Sequence, residues 1–141
     1  MAALDLSGLP ANSLVLVDTA PIIYCLEAHP KYAARFQPLF DRQAAGEILF
    51  AVATTTIAEV LTGPLRAGEE DLAKRYRAIM ESWQVVVLTA DIAESAARLR
   101  AAHKLKLPDA IQVASALAIN ADALATHDRD FAGIKALRVL S

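Results

Sequence analysis

The sequence predicts an α/β fold: a mostly parallel sheet covered by helices on both faces. Three observations carry this. Short apolar, β-branched runs alternate along the whole chain with longer amphipathic stretches. Each run ends in residues that start helices or turns, such as Asp18-Thr19-Ala20-Pro21 and Thr54-Thr55-Thr56. The chain has 141 residues, 55% hydrophobic and 21% charged, which suits one domain around one core and excludes a disordered chain.

Taken in order, Leu14–Val17 is a buried strand that ends at Asp18, where Thr19 and Pro21 mark a helix start. That helix covers 22–27 and breaks at Ala28-His29-Pro30. A second helical segment spans 32–45 and closes at Gly46. Residues 48–53 form the next strand, followed by a helix from the three threonines through Val60-Leu61, stopped by Gly63-Pro64. The stretch 71–82 is amphipathic, with Leu72, Tyr76, Ile79 and Met80 or Trp83 on one side. A strand at 85–88 and a helix at 91–103 follow. Pro108 opens a helix through Ile119, Ala123–Ala125 is a short strand, and 137–140 a last one. Residues 1–13 stand apart as an N-terminal extension before a domain of 14–141.

No apolar stretch reaches the length of a membrane-spanning helix, and no basic segment precedes a long apolar one at the N-terminus. A soluble, cytoplasmic protein with no membrane partner is the expectation. One cysteine, Cys25, excludes an internal disulfide and a thiolate zinc cluster; within IIYCL it is a small buried hydrophobe. The net charge of −2 divides unevenly: residues 1–70 carry net −4 and residues 71–141 net +2. One basic cluster, with Arg98, Arg100, His103, Lys104 and Lys106, runs directly into Pro108-Asp109. It is either a solvated helix face or a rim for a polyanion.

Four acids sit where an apolar run ends or a helix begins: Asp18, Glu59, Asp109 and Asp128. In an α/β fold such positions gather along one edge of the sheet, so distant acids can meet in one pocket. Carboxylates so gathered repel one another unless a cation is present, and hard oxygen ligands favour Mg²⁺ or Mn²⁺. This pattern points to metal-assisted chemistry on a phosphate ester. Each acid also has a plainer reading. Asp18 can cap a helix, Thr56-Ile57-Ala58-Glu59 fits a capping box, Asp109 suits a first helical turn, and Asp128 and Asp130 suit a turn. His127 lies between Thr126 and Asp128, and strand alternation would turn its side chain away from Asp128. No His or Cys has metal-ligand spacing with another. At 6% aromatic residues, the chain gives little sign of an extended base-stacking platform.

Three segments, VDTAPIIYCLE, TTTIAEVLTGP and LPDAIQVASALAINADALATHDRDF, bring a resemblance with them. In order and spacing, with successive acids at intervals of 41, 50 and 19 positions, the chain resembles PIN-domain ribonucleases, and most closely the VapC-type toxins of toxin–antitoxin pairs. The resemblance runs from about Leu14 onward. It implies a three-layer α/β/α sandwich and a metal-dependent endoribonuclease binding one or two Mg²⁺ or Mn²⁺ ions. It makes Asp18, Glu59, Asp109 and Asp128 the catalytic acids, with Asp18, Asp109 and Asp128 as metal ligands. Thr19, Thr126 and Asp130 become supporting residues. It further implies an RNA substrate, a cognate antitoxin and a homodimer. Arg100, Lys104 and Lys106 are the candidate RNA contacts. Apolar residues such as Ile22, Ile23, Tyr24, Leu61 and Leu65 are mainly core, with any outward-facing ones available to an amphipathic antitoxin segment.

Competing readings are a PIN-type nuclease of RNA maturation or structured DNA, a non-catalytic RNA-binding module, and a receiver-like signalling domain. The last needs an acidic pair at the first strand and a lysine at a late strand end. Asp18 stands alone, and Thr126-His127-Asp128 holds no lysine.

Overall fold

A computed structural model of the chain describes residues 2–128, 131 and 134–141. Among these, five strands form one parallel sheet: β1 (Leu14–Val17), β2 (Leu49–Ala53), β3 (Gln84–Val86), β4 (Ala123–Ala125) and β5 (Val139–Leu140). The helices between them are α1 (Thr19–Leu26), α2 (Ala33–Ala44), α3 (Thr54–Arg66), α4 (Glu70–Glu81), α5 (Ala90–Ala102) and α6 (Leu107–Ala118). The strand order is β3-β2-β1-β4-β5. No helix among the described residues is long and apolar enough to cross a membrane.

The period of two along each strand divides the core. Val15, Val17, Phe50, Val52, Ala123 and Ala125 face one side, where Ile22, Phe36, Val60 and Met80 from α1 to α4 cover them. Leu16, Ala51 and Leu124 face the other, under Ile92 and Ala96 of α5 and Val113 and Ala114 of α6. The chain moves outward from β1 to β3 with its helices on the first face. It then returns to β4 with α5 and α6 on the second, the change of side that right-handed crossovers produce when the direction reverses. This is the three-layer α/β/α sandwich expected from the sequence. The reversal also makes β1 a topological switch point, flanked by β2 and β4, and opens a crevice beyond the carboxyl ends of β1 and β4.

Several boundaries differ from the sequence expectation, among them the ends of α3 and β3. Gly63-Pro64 does not stop α3, which continues to Arg66. Thr56, Val60 and Pro64 are buried at successive four-residue spacings, so packing of that stripe offsets the hydrogen bond Pro64 cannot make. The third strand ends at Val86 instead of Leu88, leaving Val87 and Leu88 exposed.

Residues 2–13 are bound into the domain. Leu4 and Leu9 are buried in the first core face. Arg35 donates to the Ala2 carbonyl, Arg42 to Leu9 and Arg138 to Ser7 and Gly8, while the Asn12 amide donates to the Glu47 carbonyl at 2.7 Å.

Candidate active site

The crevice at the switch point holds a cleft of about 590 Å³ lined by Asp18, Thr19, Ala20, Ile23, Glu59, Pro108, Asp109, His127 and Asp128. All four acids singled out in the sequence therefore face one space, although 110 residues separate the first from the last.

Asp18 follows β1 and caps α1. Its Oδ1 accepts the Thr19 amide at 2.7 Å, while Oδ2 accepts the Thr126 hydroxyl at 2.8 Å. The helix-capping alternative is thus correct for one oxygen, and the second oxygen is held from β4. Pro21 costs α1 nothing, since its missing N–H lies among the first-turn amides that lack helical partners. Thr126 is fully buried, and its oxygen also accepts the Asp128 amide at 3.1 Å.

Glu59 is not part of a capping box. α3 starts at Thr54 with Ala53 as its cap residue, so Glu59 stands a turn and a half inside the helix, facing the cleft. Burial and the nearby Asp18 charge push its carboxyl above the usual range, and a hydrogen bond with Thr19 opposes this. Asp109 lies in the first turn of α6, just after Pro108. Burial, the charges of Asp128 and Asp18, and a hydrogen bond with Asp128 push it up to about 6; the Lys106 ammonium pulls it back. Asp18 is raised as well, mainly by burial, against the bonds from Thr126 and Thr19.

These shifts share one cause: negative charge is crowded where water is scarce. The donor set is hard oxygen, which fits a Mg²⁺ or Mn²⁺ ion. Among the described residues no group of three or more Asp, Glu, His or Cys side chains is close enough to cage an ion unaided. The set thus fits an ion that keeps water or substrate oxygens among its ligands.

His127 corrects the sequence expectation. It is exposed and lines the cleft beside Asp128, because β4 ends at Ala125 and strand alternation no longer applies beyond it. Arg100, Lys104 and Lys106 are exposed outside the cleft lining; Arg100 donates to the Leu105 carbonyl at 3.4 Å. Asp130 lies outside the described residues.

Below the acids is a polar layer the sequence reading did not identify. Gln112 Nε2 donates to Thr56 Oγ1 at 2.6 Å, and the Thr56 and Thr19 hydroxyls are 3.3 Å apart. Gln112 and Thr56 are buried, and among the described residues Gln112 Oε1 has no hydrogen-bond partner. A signal was present: Gln112 interrupts an apolar run three residues after Asp109, on the same helix face.

Comparison with known proteins agrees with this geometry. The profile of the PIN domain matches residues 15–137. A toxin–antitoxin complex from Klebsiella pneumoniae contains a chain 31% identical, with a TM-score of 0.70, covering 90% of this chain and 96% of that one. VapC20 of Mycobacterium tuberculosis, described as a Sarcin-Ricin loop cleaving toxin, is 20% identical with a TM-score of 0.71 over 90% of this chain and 99% of its own. VapBC-1 of nontypeable Haemophilus influenzae is 20% identical, with a TM-score of 0.67 over 89% and 96%. No match was found among curated protein sequences. The family match runs from Val15 in β1 to beyond β4 and includes all four acids, and the chain belongs to the PIN-domain family.

Proposed function

We propose that this protein is a metal-dependent endoribonuclease, the toxin of a toxin–antitoxin pair. The observation that carries the reading is the convergence of Asp18, Glu59, Asp109 and Asp128 on one cleft, with Asp109 pushed up to about 6 by its neighbours. Such crowding is unfavourable until positive charge arrives, and a phosphodiester also needs that charge to be attacked. The family match and the 31% identity to a chain of a toxin–antitoxin complex support the toxin assignment.

Asp18, Asp109 and Asp128 would hold Mg²⁺ or Mn²⁺ together with water or substrate oxygens. When bound, the ion supplies Lewis acidity and charge neutralisation at the phosphate. The chain's own contribution is positioning. Asp18 is fixed by two hydrogen bonds, so its carboxylate is oriented before substrate arrives. Asp109 and Asp128 are close enough to share a hydrogen bond, and in their ionised forms both would be available to hold the ion. Glu59, braced by Thr19, aligns the attacking water, and its raised pKa suits it to accept a proton. Hydrolysis of this kind leaves 5′-phosphate and 3′-hydroxyl ends. Arg100, Lys104 and Lys106 would hold the RNA backbone, and Asp130 would support Asp128. The partners are a cognate antitoxin and a second copy of the chain, in the cytoplasm.

The experiment is cleavage of total bacterial RNA by purified protein with Mg²⁺, with Mn²⁺ and with EDTA, beside Asp18→Asn. Discrete fragments that require metal and vanish in the variant are expected. Absence of both cleavage and calorimetric Mn²⁺ binding would overturn the reading.

A further inference from the structure

Aromatic residues are few in this chain, yet Tyr24, His29 and Tyr32 cluster with His127, which lines the acidic cleft. Tyr24 lies in the last turn of α1, His29 and Tyr32 in the turn to α2, and His127 just beyond the end of β4. Tyr24 and Tyr32 lie 4.9 Å apart at 31°, and His29 stacks on Tyr32 at 5.0 Å and 28°. His127 differs. It meets Tyr32 at 4.7 Å and 68° and Tyr24 at 5.4 Å and 83°, so it is held edgewise. Among the described residues no ring stacks parallel on it, and it is exposed within the cleft lining. The Lys31 ammonium sits 5.2 Å from the Tyr32 ring centre, adding positive charge to the same rim.

We infer that His127, braced by Tyr24 and Tyr32, is a stacking shelf for an unpaired base of the strand whose phosphate enters the acidic cleft. The inference rests on the nuclease reading and adds to it a residue that contacts the base beside the cut. A braced ring with an accessible face is the element such binding needs, because every base has a π-face to offer. A base inside a duplex has both faces covered by its neighbours and cannot use the shelf. The position fits one nucleotide, since His127 directly precedes Asp128 and base and phosphate sites are adjacent along the backbone. A proton-carrying role for the same imidazole predicts a different outcome, with His127→Ala binding RNA as wild type does.

The test measures binding of a fluorescein-labelled RNA, single-stranded or annealed to its complement, in Ca²⁺, with gels to confirm that it stays intact. The variants are His127→Ala and His127→Phe. His127→Ala is expected to weaken single-strand binding roughly 5- to 100-fold with little effect on duplex binding, and His127→Phe to stay within about twofold of wild type. Unchanged thermal melts are expected, because the side chain is exposed. If wild type binds and cleaves but His127→Ala binds equally well, the shelf is wrong. Loss of binding in His127→Phe as deep as in His127→Ala also overturns it. Wild-type protein that neither binds nor cleaves RNA, with Mn²⁺ included, overturns the nuclease reading itself.

Discussion

The Thr126 hydroxyl donates to Asp18 Oδ2 at 2.8 Å, and its oxygen accepts the Asp128 amide at 3.1 Å. One fully buried side chain thus ties the acid after β1 to the backbone that presents the acid after β4. The register explains why. β1 and β4 are neighbours with Val17 opposite Ala125, so the next residues of each strand, Asp18 and Thr126, fall side by side.

Thr126→Val keeps the shape and removes both bonds. Asp18 then loses one of its two compensating donors in a buried setting. We expect a stability loss of about 1–2 kcal/mol and at least a tenfold loss of cleavage. Thr126→Ser should retain most of both, as urea unfolding and a cleavage assay would show.

Asp109 fixes the pH dependence of the metal-free protein. Its carboxyl is raised from 3.8 to about 6, so the folded chain binds this proton more tightly than the unfolded chain does. The contribution of Asp109 to stability is therefore greatest below about pH 4, falls as pH rises to about 6, and then levels off. Asp18 and Glu59 act in the same direction. The metal-free melting temperature should be lower at about pH 8 than at about pH 5, and Mn²⁺ should raise it more at the higher pH. Asp109→Asn should raise the metal-free value at the higher pH and abolish cleavage. A melting temperature that climbs over this range would contradict the assignment.

Gln112 and Thr56 should behave as a unit. Thr56→Val alone leaves both ends of the Gln112 amide without partners in the core, with an expected cost of about 1–3 kcal/mol. Adding Gln112→Leu removes those stranded groups and should recover part of the loss. A double variant as unstable as the sum of the singles would show that the pair is not coupled.

The N-terminal segment should contribute to stability. Leu4 and Leu9 are almost fully buried against α1 to α4, so Leu4→Ala and Leu9→Ala should each cost about 2 kcal/mol or more in denaturant unfolding. Losses near zero for both would mean the segment is only loosely held.

Charge reversal addresses the basic rim. Lys104→Glu with Lys106→Glu should weaken RNA binding and flatten its dependence on salt by roughly one to two units of logarithmic slope. An unchanged slope would place the RNA elsewhere.

The alternation of strands and helices and the four acids were legible along the chain before any tertiary contact. These follow from local chemistry: apolar periodicity, helix-start residues and the ends of β runs. Strand order, which brings Asp18 and Thr126 together across 108 residues, came only with the tertiary structure, because non-local pairing has no local signature. The course of α3 through Pro64 was decided the same way, by a buried stripe that offset an unfavourable residue. So was the end of β4, which released His127 from strand alternation and set it among the rings of Tyr24 and Tyr32. The pKa of Asp109 is likewise a tertiary property, since it depends on which charges lie near it once water is excluded.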